Sequence, residues 1–437
     1  NLKAAIESYH HSLKLNPENL STHSNLLLTL SYYPECSPSQ YLSEARLYGN
    51  KALARTSPYS YWPFFSDKRN KKTLKVGLVS GDFKTHPVGY FLENILQHLN
   101  TNSIELTAYS TQNKEDDLTA RIKPFFSTWN IISGLNDQVV ARQIHDDAID
   151  ILIDLSGHTS ANRLPIFAWK PAPVQVSWLG YFASTGTPGM DFLLADTYSV
   201  PESQRQFFSE QLWYLPESRL CFSPPKQNTK PNSLPALNNG YITFACFQSL
   251  SKISDAVIDL WGQILQELPS AQLLIRNKQM NCPDARKMLQ KRLIQAGVLT
   301  RQIQIKTPLS REEYLNSYSE VDIILDTFPY PGGTTSCEAL WMGVPTLTLT
   351  GDSLLARQGA SFLNCIGLTE WITNDSKSYT SKAIELSQNT HNLATLRLEL
   401  REKLQASSLF NASQFALEFE EALYGMWKHK LSSVKKD

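Results

Sequence analysis

The sequence predicts an α/β protein: two successive halves, each a parallel sheet with helices, behind a short all-helical segment. Three observations carry this. Short apolar runs alternate with helical stretches over LKVGLVSGDF, IELTAYST, IDILIDLSG, VQVSWLG and FLLADT, and again over ITFACF, AQLLIR, IQIKTP, VDIILDTF and PTLTLTG, the pattern of βαβ units. FSPPKQNTKPNSLPALNNG, rich in Pro and Asn and without periodicity, separates the two sets. The length, 437 residues, leaves room for two or three domains at roughly 150 residues each.

Segment 1–60 reads as helices. Within it AAIESYHHSLKLNPENLSTHSNLLLTL puts Ala5, Tyr9, Leu13 and Leu15 on one apolar face and closes the turn with Asn16-Pro17. This resembles the second helix of a tetratricopeptide unit followed by the first helix of the next. A single such pair cannot bury both its faces, because repeats stack in series and roughly three are needed. The segment is therefore expected to be cut from a longer array. An ordinary helical hairpin packed on the domain is the plainer alternative.

The first α/β half is placed at 61–228, an interdomain linker at 229–240, the second half at 241–395 and closing helices at 396–437. The linker rests on Pro/Asn content and absent periodicity. In the second half, Val257, Leu260, Trp261, Ile264, Leu265 and Leu268 recur at threes and fours, Ser254 stands ready to cap, and Pro269 lies just beyond, which marks a helix. Two such halves predict two Rossmann-like domains facing across a cleft, with a ligand at the carboxyl ends of the strands.

Composition removes several classes of function. The 41 basic and 41 acidic side chains cancel, so no electrostatic footprint for nucleic acid or an anionic membrane is expected. The six cysteines are scattered without C-x-x-C or Cys/His spacing, which points to reduced thiols and to neither a zinc site nor a disulfide framework. No apolar run approaches the roughly 20 residues of a membrane span. NLKAAIESYHHS is too polar for a signal peptide, and a soluble, cytoplasmic protein is expected. Neither first strand leads into G-x-G-x-x-G, which argues against a tightly held dinucleotide. No Asp-x-Asp motif suggests a metal.

Four stretches fall just past strand ends: GDFKTHPVG with His86, DLSGHTSANR with Asp154 and His158, FQSLSKI with Ser249 and Lys252, and PGGTTSCE with Gly332, Gly333, Thr334, Thr335 and Glu338. In the last, two glycines allow close backbone approach and two threonines add hydroxyls to the unpaired amides of a helix start, a seat for an anion such as phosphate. The dipole contributes only about 0.3–1 kcal/mol, up to ~2 when partly buried. A diphosphate therefore calls for a cation as well, and Lys252, on a loop expected to be exposed, is the candidate. Glu338 is placed either to accept hydrogen bonds from ribose hydroxyls or to complement the dipole. His86 and His158 are suited to trade protons near neutrality. Asp154 orients a base, relays a proton through water, or caps its loop. Trp178, Tyr181 and Phe182 line an acceptor groove or fill the core.

Together, GDFKTHPVGYFLE, DILIDLSGHTSANRL, KPAPVQVSWLGYFASTGTPGMDF, FQSLSKI and LDTFPYPGGTTSCEALWMGVPTLTL resemble the catalytic region of the tetratricopeptide-linked protein O-glycosyltransferases, the family of the protein O-GlcNAc transferases and the SPINDLY-type protein O-fucosyltransferases. The resemblance covers nearly the whole chain. It implies two Rossmann-like domains of the GT-B architecture and an inverting, metal-independent transfer to Ser or Thr hydroxyls of a protein. UDP-GlcNAc is the favoured donor, GDP-fucose the alternative, and no cofactor is needed. By the same resemblance Lys252 contacts the leaving diphosphate, Thr334 and Thr335 hold its oxygens, and His86, Asp154 and His158 surround sugar and acceptor. Glu338 falls where the O-GlcNAc transferases carry an Asp to the ribose.

The chain also departs from those enzymes. Gly333 replaces a His, Ser251 a Tyr, and Arg311 and Tyr314 stand where Lys and His lie near the uracil. LDTFPY, the Glu of TSCE and LSGHT lean toward SPINDLY. Two other classes compete: a non-catalytic tetratricopeptide scaffold with a degenerate nucleotide-sugar domain, and a small-molecule GT-B enzyme such as a sugar-nucleotide epimerase. The repeat segment favours a polypeptide acceptor, because such arrays present extended concave surfaces.

Overall fold

The computed structural model describes residues 2–63, 65, 73–226 and 229–433. The chain divides into two compact units, Asn1–Ser223 with Asn411–Asp437, and Pro224–Phe410.

The first unit opens with helices α1 (Leu2–Leu15), α2 (Leu20–Leu30) and α3 (Pro38–Leu53). The chain breaks at the expected Asn16-Pro17. Asn19 then caps α2 by accepting from Thr22 N–H, and Ser37 and Gln40 form a capping box at α3, each satisfying amides a helix start leaves unpaired. No residue of α1 is buried, whereas α2 buries Leu26 and Leu27 and α3 buries Tyr41, Leu42, Ala45 and Tyr48.

The sheet follows through β1 (Leu74–Ser80), α4 (Pro87–Leu96), β2 (Ile104–Ser110), α5 (Asp117–Ile122), β3 (Thr128–Ile131), α6 (Asp137–Asp146), β4 (Ile151–Asp154), α7 (Leu164–Ala168), β5 (Val174–Ser177), β6 (Phe192–Ala195) and β7 (Gln211–Tyr214). All pairings are parallel, in the order β3-β2-β1-β4-β5-β6-β7. Central strands are buried almost throughout, as parallel strands covered on both faces are. The edge strands β3 and β7 are half exposed. β3, TWNI, carries no apolar run, whereas β7 holds the run 212–215, which the sequence reading passed over.

The second unit runs α8 (Ala236–Asn239), β8 (Thr243–Cys246), α9 (Asp255–Glu267), β9 (Gln272–Arg276), α10 (Pro283–Gln295), β10 (Ile303–Lys306), α11 (Arg311–Asn316), β11 (Ile323–Leu325), α12 (Thr334–Trp341), β12 (Thr346–Leu349), α13 (Gln358–Cys365), β13 (Ile372–Thr373), α14 (Ser376–Gln388) and α15 (Thr390–Gln405). Its order, β10-β9-β8-β11-β12-β13, repeats the doubly wound order of the first sheet. In both sheets the winding reverses beside the first strand, between β1 and β4 and between β8 and β11. Such a reversal is where open α/β sheets take their ligands, at the carboxyl ends of the strands, because loops on either side of it diverge. The marked helix is α9: Ser254 accepts from Val257 N–H, and Val257, Leu260, Trp261, Ile264 and Leu265 are buried.

Three expected boundaries differ from these units. Helices α1–α3 (expected as 1–60) belong with the first sheet. The stretch 229–240 is partly built into the second unit: buried Arg397 donates to Asn232 O at 2.8 Å, and Asp322 Oδ1 accepts from Ala236 N at 2.9 Å. Composition marks a loop without saying whether distant side chains pin it. The closing helices 396–437 divide, with α15 in the second unit and α16 (Ala412–Ser433) in the first. There Phe419 packs on Trp178 with ring centroids 4.6 Å apart, and Tyr424 donates to Ser103 O. The expected boundary at 228 lies outside the described residues.

Candidate active site

In the second unit, the loops after β8 and β11 converge on the N-terminus of α12. Gly333 is its N-cap and has no side chain to spend on the first amides. Ser336 and Cys337 are the first residues whose N–H groups bond back to Gly333 O, both at 3.1 Å. The amides of Thr334 and Thr335 precede them, in the positions that have no helical partner. Glycine at 332 leaves room for its neighbours: a Cβ there would overlap Ser336 Oγ and crowd Thr335 Oγ1 and Gln248 Nε2, so these side chains would have to turn away. Ser336 Oγ is buried and without a hydrogen-bond partner. It is a third hydroxyl at this helix start, and the sequence reading passed over it.

Asp326, at the end of β11, organises the loop. Its Oδ1 accepts from Gly332 N at 2.8 Å, Thr327 N at 3.0 Å and Gln248 Nε2 at 3.0 Å, while Oδ2 accepts from Thr348 Oγ1 at 3.1 Å. Burial pushes this carboxyl up to about 6, against the pull of those donors and of Lys252. Sequence reasoning missed it, because a strand-end Asp is a common loop cap and only the fold shows four donors aimed at one carboxylate.

Lys252 is half-buried rather than exposed as expected. Its ammonium donates to Pro331 O at 2.8 Å and lies 3.6 Å from the centroid of the Tyr330 ring. One of its three donors is thus used within the loop. Desolvation lowers its pKa to about 8, opposed by Asp326 and Cys246. It remains cationic at neutral pH. Ser249, at the start of the same turn, accepts from Gln279 Nε2 and meets Ser251 Oγ at 3.1 Å.

Glu338 is buried, and its carboxylate is already engaged. Arg311 Nη1 lies 2.6 Å from Oε1, and Tyr314 Oη donates to Oε2 at 2.9 Å while meeting Tyr318 Oη at 2.7 Å. Burial raises the Glu338 pKa, and Arg311 opposes this. The expectation left it either to accept from a ribose or to complement the helix dipole. The carboxylate is the centre of an Arg–Glu–Tyr cluster that joins α11 to α12, and a ribose hydroxyl would share its lone pairs.

In the first unit the three expected groups separate. His86 caps α4: Nδ1 accepts from Val88 N at 3.3 Å and lies 3.5 Å from Asp82 Oδ2. Its side chain is 40% exposed. Burial lowers its pKa, Asp82 raises it and Lys84 lowers it, so the ring is neutral at pH 7. Because Nδ1 accepts from Val88 N–H, the neutral ring carries its proton on Nε2, and only a turn of Nδ1–H toward Asp82 would free Nε2 to accept. Asp82 was absent from the sequence reading, although its i, i+4 spacing was available.

Asp154 is fully buried and closes its own turn, accepting from Gly157 N at 2.6 Å and Ser156 N at 3.3 Å. Burial pushes it up to about 7. Of the alternatives open to it, the loop cap is what the geometry shows. His158 is likewise 0% exposed. Nδ1 meets Ser24 Oγ at 2.9 Å, Nε2 meets Thr185 O at 3.0 Å, and burial lowers its pKa to about 3. The expectation that it trades protons is corrected, since both nitrogens are occupied and burial disfavours the charged form. Tyr181 and Phe182 are buried as well, so they fill the core instead of lining an open groove. No group of three or more His, Cys, Asp or Glu residues placed to hold a metal occurs among the described residues. No helix among them is long and apolar enough to cross a membrane.

The family model of glycosyl transferase family 41 matches residues 45–222 and 230–419. The probable UDP-N-acetylglucosamine–peptide N-acetylglucosaminyltransferase SPINDLY of Petunia hybrida is 34% identical over 95% of this chain and 45% of its own length. The protein of the same description from Arabidopsis thaliana is 33% identical over 95% of this chain and 46% of its own. The chain thus spans under half the length of these relatives. A mutant O-GlcNAc transferase of Thermobaculum terrenum superposes with a TM-score of 0.93 at 33% identity, over 99% of this chain and 82% of that one. Anabaena HepE, solved with UDP-glucose, reaches 0.50 at 12% identity over 80% of this chain and 100% of its own, a likeness of fold alone. The two doubly wound units are those of the GT-B fold, and the chain belongs to glycosyltransferase family 41.

Proposed function

We propose that this chain is the catalytic region of an inverting, metal-independent glycosyltransferase that moves a sugar from a nucleotide donor to Ser or Thr hydroxyls of a protein. UDP-GlcNAc is the favoured donor, in keeping with the activity for which the relatives are named. The observation that carries the reading is the seat at α12: uncapped amides of Thr334 and Thr335, the orphaned Ser336 hydroxyl, and the Lys252 ammonium held at Pro331 O. Three hydroxyls, two amides and one cation suit a diphosphate and are excessive for a turn.

In the proposed step the acceptor oxygen attacks the anomeric carbon as the bond from that carbon to the diphosphate oxygen breaks. The electron pair leaves with the diphosphate, and one in-line displacement inverts the centre. Lys252 and the α12 amides stabilise charge growing on the leaving oxygens. For the hydroxyl proton to pass to Nε2 of His86, the ring exchanges its bond from Val88 N–H for one in which Nδ1–H donates to Asp82, the tautomer that leaves Nε2 free to accept. Among the expected bases only His86 has both an exposed ring and a carboxylate behind it.

Separate calorimetric titrations with UDP-GlcNAc and GDP-fucose, followed by transfer assays with EDTA present, test the reading. UDP-GlcNAc binding and EDTA-insensitive transfer are expected. Failure of both nucleotides to bind, or a strict divalent-metal requirement, refutes it.

A further inference from the structure

His158, sealed from solvent with both ring nitrogens occupied, is held by contacts from several elements of the first unit. A carbonyl only accepts, so Nε2 must carry the ring proton and donate to Thr185 O. Because the imidazole is neutral, Nδ1 must accept, and the donor is the Ser24 hydroxyl of α2. Ser24 Oγ in turn accepts from Asn162 Nδ2 at 3.1 Å. The hydrogen bonds therefore run in one direction only, from Asn162 to Ser24 to His158 to Thr185.

The surrounding contacts reinforce this chain. The His158 ring meets Tyr48 of α3 edge to face at 4.6 Å and Tyr181 at 5.3 Å. Tyr41 Oη lies 2.6 Å from Tyr181 Oη and donates to Ser184 O at 3.0 Å. Gly49 of α3 lies against Gly186, where φ is +69° and a Cβ would overlap Ala45 O. From the other side Glu210 holds Thr185 N at 2.7 Å and Ser184 Oγ at 2.7 Å. Two loops are gripped in this way: 155–162 after β4 and 183–187 after β5.

We infer that Ser24 and His158 are positioning residues, through which helices α2 and α3 set the conformation of the two loops at the carboxyl ends of β4 and β5. The helical segment and the first sheet then act as one body. A polypeptide carried on the helical segment meets those loops in a fixed register. This consequence rests on the proposed transfer to protein acceptors, whereas the coupling itself does not.

The test uses the full chain with Ser24→Ala, which removes one hydroxyl, and Ser24→Thr, which restores it. Amide hydrogen exchange of Ser24→Ala is expected to quicken by about tenfold or more, confined to 155–162 and 183–187. Turnover with a protein acceptor falls about 10- to 100-fold well below the melting temperature. Affinity for UDP is unchanged, and Ser24→Thr recovers both exchange and turnover. Unchanged exchange in both loops overturns the inference, as does acceleration spread evenly over the first unit. Should Ser24→Ala fail to fold, Tyr41→Phe serves instead: faster exchange limited to 183–187 supports the coupling, and none refutes it. A wild-type chain inactive with every donor refutes the proposed function alone, and the exchange arm still decides the coupling.

Discussion

Replacing Lys252 by alanine tests the diphosphate seat most directly. The ammonium spends one hydrogen bond on Pro331 O at 2.8 Å, which leaves two donors for the leaving group. Charge-assisted hydrogen bonds are worth about 1.5–3 kcal/mol each, but the bound donor already enjoys part of that before reaction. Only the share that grows in the transition state affects kcat, and losing one preorganised donor of this kind costs ~3–4 kcal/mol, about 100- to 1000-fold. The variant also leaves Pro331 O without its donor, a loss of roughly 1–2 kcal/mol of stability, which a protein of this size survives. Release of nucleoside diphosphate under saturating donor and acceptor measures kcat, and a thermal melt checks folding. Turnover within about tenfold of wild type in a folded variant would remove Lys252 from the mechanism. Lys252→Arg supplies the pH control. The lysine pKa is lowered to about 8, so its charge is present below that pH and lost above it. Wild-type affinity for UDP should fall as pH rises through 8, and the arginine variant, which stays charged, should show no such fall.

Other expectations follow from neighbouring residues. Asp326 is the foremost group holding the Lys252 pKa up against desolvation, so Asp326→Asn should move the alkaline loss of UDP affinity below pH 8; an unmoved midpoint contradicts the coupling. His86→Ala should lower kcat by about 100-fold or more with little change in melting, as loss of a general base does. His158→Ala, by contrast, opens a cavity and orphans two hydrogen-bonding groups, and should cost about 3 kcal/mol in urea unfolding. Equal effects of the two histidines on stability would undo the distinction drawn between them. Glu338→Gln breaks a pair whose arginine is partly exposed, so a modest loss of about 1–3 kcal/mol is expected in the second unit, together with weaker nucleotide binding. Unchanged melting and affinity would show that the cluster joining α11 to α12 carries nothing.

Much of this was legible in advance, for reasons that particular residues make plain. Buried parallel strands such as β4 and β8 are nearly continuous apolar runs. The start of α9 is written in Ser254 and its end in Pro269. The seat at α12 was visible because Gly332, Gly333, Thr334 and Thr335 are contiguous. Edge strand β3 was not visible, since a half-exposed strand of four residues with Thr and Asn in it has no distinctive pattern, and the short run 212–215 of β7 was passed over.

The local chain alone determined which segments form strands and helices, and which residues lie just past strand ends, because periodicity, capping and turn chemistry act over a few residues. Whether each of those residues meets water was settled by the tertiary structure. His86 and His158 look alike in sequence, yet one caps a helix at the surface while the other is sealed beneath α2 and α3, whose contacts with it come from more than a hundred residues away. Desolvation and long-range hydrogen bonding set the protonation of a histidine, and neither is written in its neighbours along the chain.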